Sequence, residues 1–156
     1  MNKVSVIDSE SLLAIWQGNR NLTRKIIEAF PDEALFNFSV GGMRPFAELV
    51  KEIITLDVDG LKGIVTGIEE PFNHDLPAIT KEELLVEWDK ATVAIDAYFA
   101  QISAERFKEN FNLFGQYNFP VIHNIIYFIE NQIHHRGQAY AYLRALGITP
   151  PFFWER

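Results

Sequence analysis

One stretch of this chain concentrates side chains that can do chemistry. Set at 100° per residue, positions 120–146 place Asn124, Tyr127, Asn131, His135, Gln138 and Tyr142 on one line, at steps of three and four. A solvated helix face would more often carry Lys and Glu. This line instead holds neutral amides, an imidazole and two phenols. Such groups suit a partly enclosed cleft that takes a metal or a small polar ligand. They also fit the edge of an ordinary amphipathic helix, with tyrosine caps and a solvated histidine.

The histidines restrict any metal chemistry. There are four: His74, His123, His134 and His135. His134 and His135 are neighbours and point about 100° apart on a helix, so they do not easily chelate one ion. His123 lies about 18 Å before His135 along a helix. No pair has the i, i+4 spacing of a two-histidine metal signature. A metal centred on His135 would need oxygen ligands from elsewhere.

A second helical stretch, about 45–67, offers two acids. Asp57 falls near the middle of its apolar stripe and Glu52 at the edge. Glu52 is continuous with Leu56, Gly60, Gly63 and Gly67, a line of small residues that would let a backbone or ligand approach closely. The glycines are equally compatible with a loosened helix end. Arg136 sits near the apolar centre of the 120–146 helix, and a buried guanidinium needs a partner. Asp57, or another core-facing acid, is the expected one, in a structural role.

Four long helical patterns must position these groups. The first runs from about 8 to 30, with Leu12, Ile15, Trp16, Leu22, Ile26, Ile27 and Phe30 at helical spacing. Asp8 or Ser9 caps it and Pro31 lies beyond it. The second is 45–67, with Pro45 at its start. The third begins at Thr80, which forms a capping-box signature with Glu83, and continues through Leu84, Trp88, Ala91, Ile95, Tyr98 and Ile102. The fourth, 120–146, has a core face of Val121, Ile125, Phe128, Ile129, Ala139, Leu143 and Leu146, and stops at Gly147. No segment reads as a paired strand. The connection 103–119 is long and rich in Phe, with room for a short extra helix. Four helices with one apolar stripe each bury those stripes most simply against one another. The expected fold is an all-α four-helix bundle of up-down type with one longer connection, as a single domain over 1–156.

Composition narrows the function classes. The chain has 156 residues, 48% of them apolar, with 21 acids against 14 bases and a net charge of −7. That balance opposes nucleic-acid binding and polybasic membrane contact. Without cysteine there is no disulfide framework, no Cys-based zinc site and no thiol nucleophile. No apolar run approaches a membrane span, and residues 1–10 lack a targeting pattern. A cytoplasmic protein is expected.

The run Glu130-Asn131-Gln132-Ile133-His134-His135-Arg136-Gly137-Gln138, followed by Tyr142-Leu143-Arg144-Ala145-Leu146-Gly147 and Pro150-Pro151, resembles the C-terminal helix of the DinB/YfiT-like superfamily. Residues 46–54, Phe-Ala-Glu-Leu-Val-Lys-Glu-Ile-Ile, resemble its second helix. The order and lengths of the helices agree, so the resemblance covers nearly the whole chain. It implies a four-helix bundle, often a homodimer, with a divalent metal such as nickel or zinc held by three histidines. Characterised relatives include thiol-cofactor transferases and isomerases.

Carried over residue by residue, the ligand positions are Glu52, Asn131 and His135. Only His135 keeps the imidazole. Glutamate is a competent ligand, whereas an Asn oxygen is a weak donor suited to harder ions. Two functions are therefore expected in competition. In one, a metal at Glu52 and His135 activates a water or a thiol, and Tyr127, Gln138 and Tyr142 orient a small-molecule or thiol substrate, as in a hydrolase or thiol-cofactor transferase. In the other, Glu52, Asn131 and His135 form a metal-free hydrogen-bonded cluster in a small-ligand-binding or dimeric structural bundle. The tail Pro150-Pro151-Phe152-Phe153-Trp154 is expected to fold back on the helices or pack on a second subunit, since exposed aromatics cost solubility.

Overall fold

A computed structural model describes residues 6–156 of the chain. The reading of residues 1–10 as free of a targeting pattern falls partly outside them. The described chain is mostly helical: α1 Ser9–Ala29, α2 Asp32–Asn37, α3 Phe46–Thr66, α4 Lys81–Phe99 and α5 Val121–Ala145, with a short 3-10 turn at Arg106–Lys108.

Local chemistry sets the long helix ends. Asp8 accepts from the Ser11 amide at 2.7 Å and starts α1. Thr80 and Glu83 form the reciprocal capping box at α4. Pro45 and Pro120 precede α3 and α5, where a missing N–H costs nothing. α5 stops at Gly147, whose φ of 77° is open to glycine, and the Ile148 amide reaches back to the Leu143 carbonyl at 2.9 Å.

Two expectations are corrected here. A fifth helix, α2, follows directly after Pro31. A paired strand region also exists: β1 Asn110–Leu113 and β2 Tyr117–Pro120 form an antiparallel hairpin, with Phe111 opposite Phe119. Phe111 and Leu113 are buried, while β2 is largely exposed. The buried Asn124 amide of α5 donates to the carbonyls of Phe111 at 3.1 Å and Phe119 at 3.4 Å, and so ties the hairpin to the helices.

The four long helices close a ring of contacts. α1 touches α4 and α5, and α3 touches α4 and α5. Two apolar clusters fill the interior. One centres on Ile26, Phe30, Phe46, Ile53, Trp88 and Leu143, the other on Trp16, Leu61, Ile95, Phe99, Ile125 and Phe128. Leu146, expected in the core, is only half-buried. The line of glycines on α3 does admit a close approach, by aromatic rings. A Cβ on Gly60 would stand 2.5 Å from the Phe128 ring. Among the described residues no helix is long and apolar enough to cross a membrane.

A polar layer separates the two clusters. Arg20 and Asp57 are both fully buried and form an ion pair at 2.9 Å. The Arg20 guanidinium lies 4.0 Å from the Trp88 ring and also reaches the Trp88 carbonyl and the Thr92 hydroxyl. Asp57 thus faces the core, and its partner is Arg20, whereas Arg136 was the group expected to need such an acid. The helical wheel put both groups on inward faces without showing which faces meet. Arg136 turns to α1, where it donates to the Asn19 carbonyl, the Asn19 side-chain oxygen and the Thr23 hydroxyl.

Candidate functional site

Glu52 on α3 and His135 on α5 meet across the helix interface. His135 Nε2 stands 3.0 Å from Glu52 Oε1. A carboxylate only accepts, so Nε2 carries a proton and donates. On the other side of the ring, Nδ1 stands 3.1 Å from Gln138 Oε1, one turn along α5. The imidazole is 6% exposed and held at both ends.

The second oxygen of Glu52 is also taken. Arg44, just before α3, places Nη2 at 2.6 Å from Glu52 Oε2. Two N–H donors thus face one partly buried carboxylate. The bond from His135, opposed by burial and assisted by Arg44, brings the Glu52 pKa from 4.5 down to about 2. The Arg44 backbone takes part as well, because its carbonyl accepts from the buried Tyr142 hydroxyl at 2.9 Å. Arg44 was not legible as a site residue. It lies outside the helical repeat, where no periodicity places it.

The remaining predicted residues divide. Asn131, one turn before His135, has a buried Nδ2 with no hydrogen-bond partner. Burial raises the pKa of Tyr127, with Tyr117 and then Glu52 adding to it, so its phenol feels the cluster. Tyr127 also lines a groove of about 230 Å³ with Tyr117, Phe119, His123 and Asn124. Asn124 and Tyr142 stay on that face of α5 but are engaged by backbone carbonyls. Asn124 anchors the hairpin, and Tyr142 is fully buried against Phe38 and the Arg44 carbonyl. The tail is fastened along α1 by the bond from Lys25 Nζ to the Glu155 carbonyl at 3.0 Å, yet Phe152, Phe153 and Trp154 remain more than half exposed.

These donors do not fit a divalent ion as arranged. Both Glu52 oxygens face N–H groups, and both imidazole nitrogens face side-chain oxygens. Asn131 could add only a neutral amide oxygen, a weak donor to nickel or zinc. Among the described residues no three His, Cys, Asp or Glu side chains are grouped so as to hold a metal ion.

Comparison with known proteins places the fold. The model of the DinB family matches residues 1–155. The chain superposes on a DinB-like protein from Bacillus cereus ATCC 10987 with a TM-score of 0.73, at 19% identity, covering 91% of this chain and 95% of that one. It superposes on the DinB-like protein YjoA from Bacillus subtilis with a TM-score of 0.75, at 20% identity, covering 93% and 99%. No curated protein matches. Identities this low carry the fold alone, whereas the family model spans almost every residue. On that ground the chain belongs to the DinB family.

Proposed function

We propose that this DinB-family chain is a four-helix bundle acting as a metal-free binding module for a small polar ligand. The cluster of Arg44, Glu52 and His135 then occupies the position where the family resemblance would put a metal. The ring of contacts among α1, α3, α4 and α5 supports the bundle reading. The observation that carries the functional reading is that both oxygens of Glu52 are engaged, one by His135 at 3.0 Å and one by Arg44 at 2.6 Å. A divalent ion would have to displace a guanidinium and a ring proton to reach them. The buried Asn131 amide supplies a donor without a partner, and an aromatic groove opens beside Tyr127, one turn before Asn131 on the same helix.

One observation favours the competing reading, a metal-dependent hydrolase or thiol-cofactor transferase. The Arg44 side chain is 49% exposed, so its hold on Glu52 is screened by water and modest in energy. Metal analysis of protein purified without chelators decides between the two, followed by nickel and zinc titration of the parent and of the Glu52→His/Asn131→His double variant. The proposal expects a metal-free parent with no saturable response and a double variant that gains affinity. A parent that binds either ion as tightly as the double variant overturns it.

A further inference from the structure

Arg136 is a buried cation without a buried anion. It is 6% exposed, and its three hydrogen bonds all go to neutral oxygens: the Asn19 carbonyl at 2.9 Å, the Asn19 side chain at 2.9 Å and the Thr23 hydroxyl at 3.2 Å. Among the described residues no carboxylate pairs with it. A guanidinium has five N–H donors, and these bonds use Nη1 twice and Nη2 once. Nε and the second Nη2 hydrogen make no bond to a described residue. Nε and Nη2 share one edge of the fork, the edge that grips two oxygens of a phosphate or carboxylate.

Its surroundings add donors. Tyr140, one turn further along α5, has a buried hydroxyl with no hydrogen-bond partner. The charge of Arg136 acts on that phenol, as does the carboxylate of Glu155 in the tail. Arg156 follows Glu155, and its charge opposes that of Arg136. The tail lies along α1 at two points, two turns apart. Lys25 Nζ bonds the Glu155 carbonyl at 3.0 Å, and Arg156 Cβ lies 3.4 Å from where a Cβ on Gly18 would stand.

We infer that Arg136, Tyr140 and Arg156 form a phosphate-binding site between α1, α5 and the C-terminal tail. Two guanidinium groups match the charge of a phosphate dianion, and the fork edge and the phenol provide directed donors. The site faces α1, whereas His135 faces α3, so it is separate from the Glu52 cluster. Glu155 is the acid that opposes an anion there. The phosphate comes either as the free ion or as a small monoester.

The full chain is titrated with inorganic phosphate, with phenyl phosphate and with acetate at constant ionic strength, read by calorimetry and by thermal unfolding. The expected result is saturable binding of one or both phosphates with a rise in Tm. A response to inorganic phosphate alone assigns the free ion, and a tighter response to phenyl phosphate assigns a monoester. Tyr140→Phe and Arg156→Gln each weaken binding about tenfold, the value of one hydrogen bond to a charged group. Neither lowers the ligand-free Tm, because the buried Tyr140 hydroxyl makes no bond and Arg156 is exposed. Glu155→Gln tightens binding. No saturable response to either phosphate overturns the inference, as does parent-like binding by Tyr140→Phe and Arg156→Gln.

Discussion

Replacing Glu52 by glutamine removes one charge and leaves the shape of the Arg44–Glu52–His135 cluster almost unchanged. The size of the effect follows from the carboxyl group itself. His135 and Arg44 outweigh the burial that opposes them and bring the Glu52 pKa from 4.5 to about 2. At about 1.4 kcal/mol per pKa unit, that depression corresponds to about 3 kcal/mol of stabilisation. Arg44 is half exposed, so water screens its share, and about 2 kcal/mol is expected to remain. In a chain of this size that is a fall in Tm of about 4–8 °C. The pH dependence has a definite sign. A depressed carboxylate stabilises the fold above its ordinary pKa, and the contribution is lost as pH falls from 4.5 through about 2. Urea unfolding of parent and variant should show the full gap at pH 7 and a smaller one at pH 3. A variant as stable as the parent at pH 7, or a gap no smaller at pH 3, would refute the ion-paired cluster.

Further substitutions test the interior and the exposed face of α5. Asp57→Asn leaves Arg20 fully buried without its anion, and denaturation should show a loss of about 3–5 kcal/mol. An Arg20→Met/Asp57→Leu double variant should recover most of it, and failure to do so would mean the pair does more than neutralise charge. Gly60→Ala brings a Cβ within 2.5 Å of the Phe128 ring. Thermal unfolding should show a net loss, from about 1–3 kcal/mol of overpacking offset by better helix propensity. Gly137→Ala meets nothing within 4 Å and should gain up to about 1 kcal/mol.

The long helices were legible because their signals are local. Asp8, Pro45, Pro120 and the Thr80/Glu83 box act within one turn of the residues they cap. The hairpin was not legible. Each strand has four residues, β2 buries almost nothing, and the pair is held by Asn124 from a helix that follows it. The six-residue α2 is too short to show a period.

The candidate site was half legible for a similar reason. Resemblance put Glu52 and His135 together, and they are 3.0 Å apart. The wheel gave inward directions for Asp57 and Arg136 but not the residues opposite, so Arg20 was missed and the two were wrongly paired. Tyr142 and Asn124 share a helix face with His135, yet the loops and strands packed over that face use them for backbone contacts. Arg44 completes the cluster from a residue just outside a helix, where sequence periodicity has nothing to say.

The most direct test of the central claim is anomalous diffraction from crystals grown with excess nickel or zinc. The account predicts electron density for the Arg44 guanidinium on Glu52 and no anomalous peak between Glu52 and His135. A peak within bonding distance of both residues, with Arg44 displaced, would contradict it.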